Sequence, residues 1–169
     1  INRLSIGIQT FDDEVLKILG RCHTSKTSID IIKTAKELGF NNISIDLMYG
    51  LPAQTVEKTR EDVKKALELN PQHISLYGLK IERRTKWSHN PPQNLPDLDA
   101  QADMYEEIVK ILSENGFHHY EISNFAFSSF ESKHNLSYWK NKHYYGFGLG
   151  ASGYEGDERY TNSTIFQEY

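Results

Sequence analysis

Cysteine is nearly absent from this sequence. The single thiol, Cys22, has no partner for an internal disulfide and cannot supply the three thiolates that a site-differentiated iron–sulfur cluster requires. Its plain reading is a small half-buried side chain. Positive charge is in deficit as well: 19 Lys and Arg face 23 Asp and Glu, a formal net charge of -4, so no basic field is available to draw in nucleic acid. No apolar run approaches bilayer length, so membrane contact is not indicated and a cytoplasmic protein is the expectation. No targeting segment is visible. The first residue is Ile1 rather than Met, and a strand-like pattern starts almost at once, which reads as a chain opening inside a larger domain.

What is present fits a globular chain with a sizeable core: 169 residues, 38% hydrophobic and 25% charged. Leu4, Ile6 and Ile8 alternate with Ser5, Gly7 and Gln9, and Ile43, Ile45 and Leu47 alternate with Ser44, Asp46 and Met48, both at strand period. His73 to Lys80 is a third such run. Between them, Asp12 caps a short helix ending at Gly20, and Ser25 opens a longer one with Ile29, Ile32, Ala35 and Leu38 on one face before Gly39. A further helix spans about Val56 to Leu69, carries Glu61 and Lys65 as an i,i+4 pair, and stops at Asn70-Pro71. Lys86 to Pro96 reads as a loop. Asp97 starts a helix through Tyr105, Ile108, Val109 and Leu112 to Gly116; Tyr120 to Phe125 reads as a strand, and Asn135 to Tyr169 is aromatic, polar and glycine-rich.

Strands alternating with helices imply right-handed crossovers and a parallel sheet. Three strand–helix units are too few to close a barrel, and an open three-stranded sheet would leave an edge and a face uncovered. The expected fold is therefore α/β: a partial (β/α) barrel of three parallel strands with flanking helices over residues 1–116, followed by an α+β extension over residues 117–169. In such a barrel the aliphatic residues pack outward on the helices, which turns Ser5, Gly7, Gln9, Ser44 and Asp46 inward. Gln9 and Asp46 then lie near the C-terminal strand ends, where barrel sites are built. A satisfied core amide for Gln9 and a turn cap for Asp46 stand beside that reading.

Gly7-Ile8-Gln9-Thr10-Phe11, Leu19-Gly20-Arg21-Cys22-His23, Ile45-Asp46-Leu47-Met48-Tyr49-Gly50-Leu51-Pro52 with Gln54-Thr55, and Leu69-Asn70-Pro71 followed by His73-Ile74-Ser75 resemble consecutive motifs of a known family. It is the radical S-adenosylmethionine family of oxygen-independent coproporphyrinogen III oxidases and their haem-chaperone relatives. The resemblance covers nearly the whole chain. It implies a radical S-adenosylmethionine barrel in which Gln9, Arg21 and Asp46 match positions that contact S-adenosylmethionine. The chemistry suits: a carboxylate accepts from ribose hydroxyls or an ammonium, an amide donates and accepts, and a guanidinium forks onto a carboxylate. Lys80 matches a further contact position that usually holds a small residue, so a surface lysine stands beside that role. The family's Cys-x3-Cys-x2-Cys motif and glycine-rich motif, borne on earlier strands, do not occur here. A 4Fe-4S cluster is therefore expected in the full-length parent only, and this chain alone is expected to be inactive.

His134-Asn135-Leu136-Ser137-Tyr138-Trp139 resembles the His-Asn-x-x-Tyr-Trp motif of the haem-chaperone branch. Imidazole is a good iron ligand, and Tyr138 and Trp139 would flank a planar porphyrin; an aromatic anchor with a hydrogen-bonded His134 is the other reading. Tyr120-Glu121-Ile122-Ser123-Asn124-Phe125-Ala126 also resembles a family motif; Glu121 in it reads as structural, with a place in a salt bridge or the pocket lining as the other reading. Gly148-Leu149-Gly150-Ala151-Ser152-Gly153 satisfies G-x-G-x-x-G, but Tyr154-Glu155-Gly156-Asp157 beyond it reads as a turn, whereas a dinucleotide fingerprint opens a helix. The resemblance implies haem or a porphyrin as ligand, with a haem-accepting protein as partner and no nucleic acid. A haem chaperone is the leading function. A true oxidase that decarboxylates coproporphyrinogen III propionates and a non-catalytic barrel remnant are the alternatives.

Overall fold

Three adjacent strands run parallel, β1 (Leu4–Gln9), β2 (Ile43–Tyr49) and β3 (His73–Gly78), and the helices between them cover one face of the sheet they form. The computed structural model describes residues 1–169 in two units, Ile1–Glu131 and Ser132–Tyr169. Within the first, α1 (Asp13–Ile18) and α2 (Ser25–Glu37) link β1 to β2, and α3 (Val56–Glu68) links β2 to β3. A one-turn α4 (Lys86–His89) interrupts the expected loop, capped by Thr85. The long α5 (Leu98–Glu114) leads to β4 (His118–Glu121) and β5 (Asn124–Ala126). The sheet order is β1-β2-β3-β5-β4, with β5 antiparallel to both neighbours. The α/β reading with three parallel strands and flanking helices is the observed architecture.

Helix starts follow from local chemistry. Asp12, Thr24, Thr55 and Asp97 each accept a backbone N–H of the following turn. Gly20, at φ 70°, lets α1 end in a Schellman turn: its N–H donates to Lys17 O at 3.0 Å and Arg21 N–H to Leu16 O at 2.9 Å. Leu38 is exposed because it is the C-cap of α2 and has left the apolar stripe. Glu61 and Lys65 do not close into an ion pair, as exposed helix pairs often do not; one bridge that does form joins α3 to α5, Arg60 Nε to Glu107 Oε1 at 2.8 Å. Cys22 is exposed rather than half-buried, since it follows the α1 terminus on a loop.

The core lies between the sheet and α2, α3 and α5. Ile8, Ile45, Leu47, Ile74, Leu76 and Phe125 meet Ile32, Val63, Ala66, Ile108 and Leu112 there, all essentially without solvent exposure. The segment Tyr120 to Phe125 is a hairpin rather than one strand: β4 pairs with β5, and the Glu121 carboxylate accepts from the Asn124 amide across the turn.

The second unit contains α6 (Lys133–Trp139), capped by Ser132, and a hairpin of β6 (Ser152–Glu155) and β7 (Glu158–Thr161). Gly156 and Asp157, both at positive φ, make its two-residue turn. The G-x-G-x-x-G run therefore opens onto a strand. Its last glycine, Gly153, leaves room for the Tyr160 ring, with which a Cβ would collide.

Phe125 is fully buried and stacks on His119 at 4.3 Å between centroids. Phe125→Ala should cost about 3–5 kcal/mol in urea unfolding, from lost transfer energy plus the cavity left behind. A loss under about 1 kcal/mol would mean that this strand is not part of the cooperative core.

Candidate functional site

With the aliphatic side chains of β1 and β2 turned to the helices, Ser5, Gly7, Ser44 and Asp46 take the opposite, polar face. Ser5 pairs with Ser44 in the register and Gly7 with Asp46. The Ser5 hydroxyl donates to both Asp46 oxygens, at 3.1 and 3.3 Å, which fixes the carboxylate and leaves acceptor capacity on each oxygen. Asp46 is half-buried and has no cationic partner within bridging distance.

Gln9 ends β1 where the register with β2 slips, and its backbone lies at φ 72°. Its side chain folds back over Gly7, so that a Cβ added to Gly7 would stand 2.7 Å from Gln9 Nε2. The missing side chain at position 7 is thus the space that the amide occupies, beside the register partner of Asp46. Arg21 lies exposed on the loop after α1, and its guanidinium makes no hydrogen bond or ion pair. That loop is tied to the end of β1 by His23 Nε2, 3.2 Å from Ile8 O, which brings Arg21 to the same sheet end as Gln9. Lys80 follows β3, is exposed, and pairs with Glu82 at 2.9 Å, which raises its pKa. Gln9 and Asp46 therefore share a face, Arg21 belongs to the adjoining loop, and Lys80 is engaged in a local surface pair.

A polar network continues across the same face. His73, register partner of Ser44, is buried between two hydroxyls: Nδ1 lies 2.7 Å from Ser44 Oγ and Nε2 2.8 Å from Tyr120 Oη. Burial, with Arg3 nearby as a lesser cause, lowers its pKa from 6.5 to about 3. On the other side, a cavity of about 330 Å3 is lined by Thr10, Asp12, Gln54, Lys58, Asp62 and Lys65 among others, and none of Gln9, Arg21, Asp46 and Lys80 lines it. The Asp62 carboxylate there accepts from Thr10 and from Phe11 N–H, and burial raises its pKa.

In the second unit, His134 Nε2 and the Tyr138 hydroxyl are 2.7 Å apart, with the two rings edge to face. Tyr138 in turn packs edge-on against Tyr144. Trp139 is half exposed, and Asn135 Oδ1 is the one buried side-chain nitrogen or oxygen left without a hydrogen-bond partner. No three His, Cys, Asp or Glu side chains are grouped to hold a metal ion, and one cysteine does not fit an iron–sulfur cluster.

A model of the radical SAM superfamily matches residues 1–66. Heme chaperone HemW of Lactococcus lactis is 48% identical over 165 residues, 96% of this chain and 44% of that protein. Heme chaperone HemW of Bacillus subtilis is 45% identical over 173 residues, covering 100% of this chain and 45% of the relative. The chain belongs to the radical SAM family, on the HemW branch. It spans less than half the length of these relatives. The structure of Escherichia coli coproporphyrinogen III oxidase (HemN), a radical SAM enzyme, superposes with a TM-score of 0.81 over 100% of this chain and 42% of its own, at 24% identity, which shows the shared fold. No helix is long and apolar enough to cross a membrane.

For this radical SAM chain, sequence reasoning passed over Ser5, His73 and Asp62. Ser5 was visible as an inward-turned alternating polar residue, and His73 as the first residue of a strand within a family motif, but neither with its hydrogen-bond partner. Asp62 did leave a signal, because it falls with Thr59, Val63 and Ala66 on the buried stripe of α3. A charged residue on an apolar stripe demands a partner.

The His73 environment makes stability depend on pH. The unfolded side chain takes up a proton near pH 6.5 and the folded one only near 3, so between these values the unfolded chain binds more protons. Its contribution is complete above about pH 6.5 and is lost as pH falls toward about 3, amounting to about 2 kcal/mol at pH 5. His73→Gln titrates in neither state, so the fall in unfolding free energy from pH 7 to pH 5 should be smaller in the variant by that amount. Equal slopes would show that His73 is charged in the fold. Asp62, raised by burial, acts with the opposite sign, which is why the difference between proteins is the quantity to measure.

Proposed function

We propose that this chain forms the S-adenosylmethionine-facing part of a haem chaperone, with Asp46, Gln9 and Arg21 as contacts. The observation that carries the reading is the Asp46 carboxylate, held by Ser5 on the polar face and set beside the space over Gly7 into which Gln9 folds. Asp46 is suited to accept from ribose hydroxyls, Gln9 to donate and accept, and Arg21, unengaged on its loop, to bind a carboxylate. S-adenosylmethionine, when bound, supplies the radical chemistry for which the family is named. Lys80 is the weakest member of the set, because it would have to leave Glu82. A cytoplasmic, reducing setting fits the exposed, unpaired Cys22.

Haem is the cargo in this reading. His134 would present an imidazole to iron once Tyr138 releases Nε2, or through Nδ1 without that release, with Tyr138 and Trp139 as aromatic neighbours. A haem-accepting protein is the partner this role requires. The chaperone reading is favoured over the oxidase by the names of the relatives that match nearly the whole chain.

In the full-length protein, Asp46→Ala should weaken S-adenosylmethionine binding by about 1–3 kcal/mol in calorimetry. Unchanged affinity would remove Asp46 from the site. Haem titration should show a Soret band that His134→Ala shifts or weakens, while an anaerobic decarboxylation assay with coproporphyrinogen III should show no turnover. Robust decarboxylation with no haem bound at micromolar concentration, about 8 kcal/mol of affinity, would replace the chaperone with an oxidase.

A further inference from the structure

Gln9 alone among Gln9, Arg21, Asp46 and Lys80 has its backbone in the left-handed region, at φ 72°, and it is not glycine. Such a residue stays there when its surroundings over-determine it. The two residues that follow Gln9 are gripped by a single side chain from α3. Thr10 Oγ1 donates to Asp62 Oδ2 at 2.7 Å, and Phe11 N–H donates to Asp62 Oδ1 at 2.9 Å. Thr10 Oγ1 also accepts from the N–H of Asp12, the N-cap of α1, at 3.1 Å. Both oxygens of Asp62 are thus spent on the β1–α1 turn. Asp62 is 7% exposed, and no Lys, Arg or His bridges it: the α3 lysine one turn back, Lys58, goes to Asp12 at 3.5 Å. A buried carboxylate without a cation is a poor stabilising device. Two directed bonds to one turn are, by contrast, a good way to fix where that turn points.

We propose that Asp62 is the positioning residue for Gln9: by holding Thr10 and Phe11 it sets the left-handed bend that folds the Gln9 carboxamide over Gly7 and beside Asp46. This rests on the reading of that face as the S-adenosylmethionine side. Asp62 itself faces the helix side and does not touch the ligand.

The test is a pair of double-mutant cycles in the full-length protein, with S-adenosylmethionine affinity read by calorimetry. Asp62→Ala should weaken binding about tenfold. In a Gln9→Ala background it should add less than about threefold, because the group it positions is gone, whereas in an Asp46→Ala background it should keep its tenfold effect. A general loss of structure would act equally in both backgrounds, and that result overturns the proposal, as does unchanged affinity in Asp62→Ala alone. Where Asp62→Ala does not fold by thermal melting, Asp62→Asn replaces it; that variant keeps the shape and the acceptor for Phe11 N–H but no longer accepts from Thr10. A ligand-free readout separates the two ideas. Both Asp62 variants should move the Gln9 side-chain amide resonances in NMR spectra. If Gln9→Ala and Asp46→Ala both bind as the parent does, the ligand reading fails while shifted resonances still uphold the positioning role. Unmoved resonances overturn that role.

Discussion

The two-residue period of β1 and β2 is the constraint on which the molecule depends. One set of side chains, Ile6, Ile8, Ile43, Ile45 and Leu47, is committed to α2, α3 and α5, and this commitment forces the intervening Ser5, Gly7, Ser44 and Asp46 onto the other face whether or not a ligand is there. A slip of one residue in β2 would exchange its two sets and bury Asp46 on the helix-covered face. The chemistry of the polar face is thereby secured by hydrophobic burial rather than by interactions among the polar groups. Those groups then add local detail: Ser5 orients Asp46, and Ser44 with Tyr120 orients His73.

What the sequence revealed and what it hid divide along a physical line. Period-2 strands, the cap at Asp12 and the glycine stop at Gly20 were legible because each depends on neighbours within a turn or two. The polar placement of Asp46 followed from the same alternation. The β4–β5 hairpin was read as one strand because its turn, Ile122-Ser123, carries no glycine or proline and is closed by a side-chain bond between Glu121 and Asn124. Helix α6 escaped because none of its residues is buried, so no apolar stripe marks it. The grip of Asp62 on Thr10 joins residues 52 apart, and no local pattern reports a contact of that separation.

The candidate site shows the same division. Gln9 and Asp46 were legible as a pair because the alternation of two adjacent parallel strands turns both to one face; the use of Gly7 as the space for an amide was not, since a glycine in a strand has several meanings. In barrel folds the strands supply a fixed frame and the loops at their C-terminal ends supply variation.

The left-handed backbone at position 9 has a consequence for anyone redesigning this protein. Glycine is the residue that such a φ suits best, and relieving the conformation is worth roughly 1 kcal/mol or more. A selection for thermal tolerance, or a computational ranking by folding energy, would therefore drift toward Gln9→Gly. The drifted protein would have lost an amide from its polar face, so backbone relief would be set against the ligand contact proposed for Gln9 at that single codon.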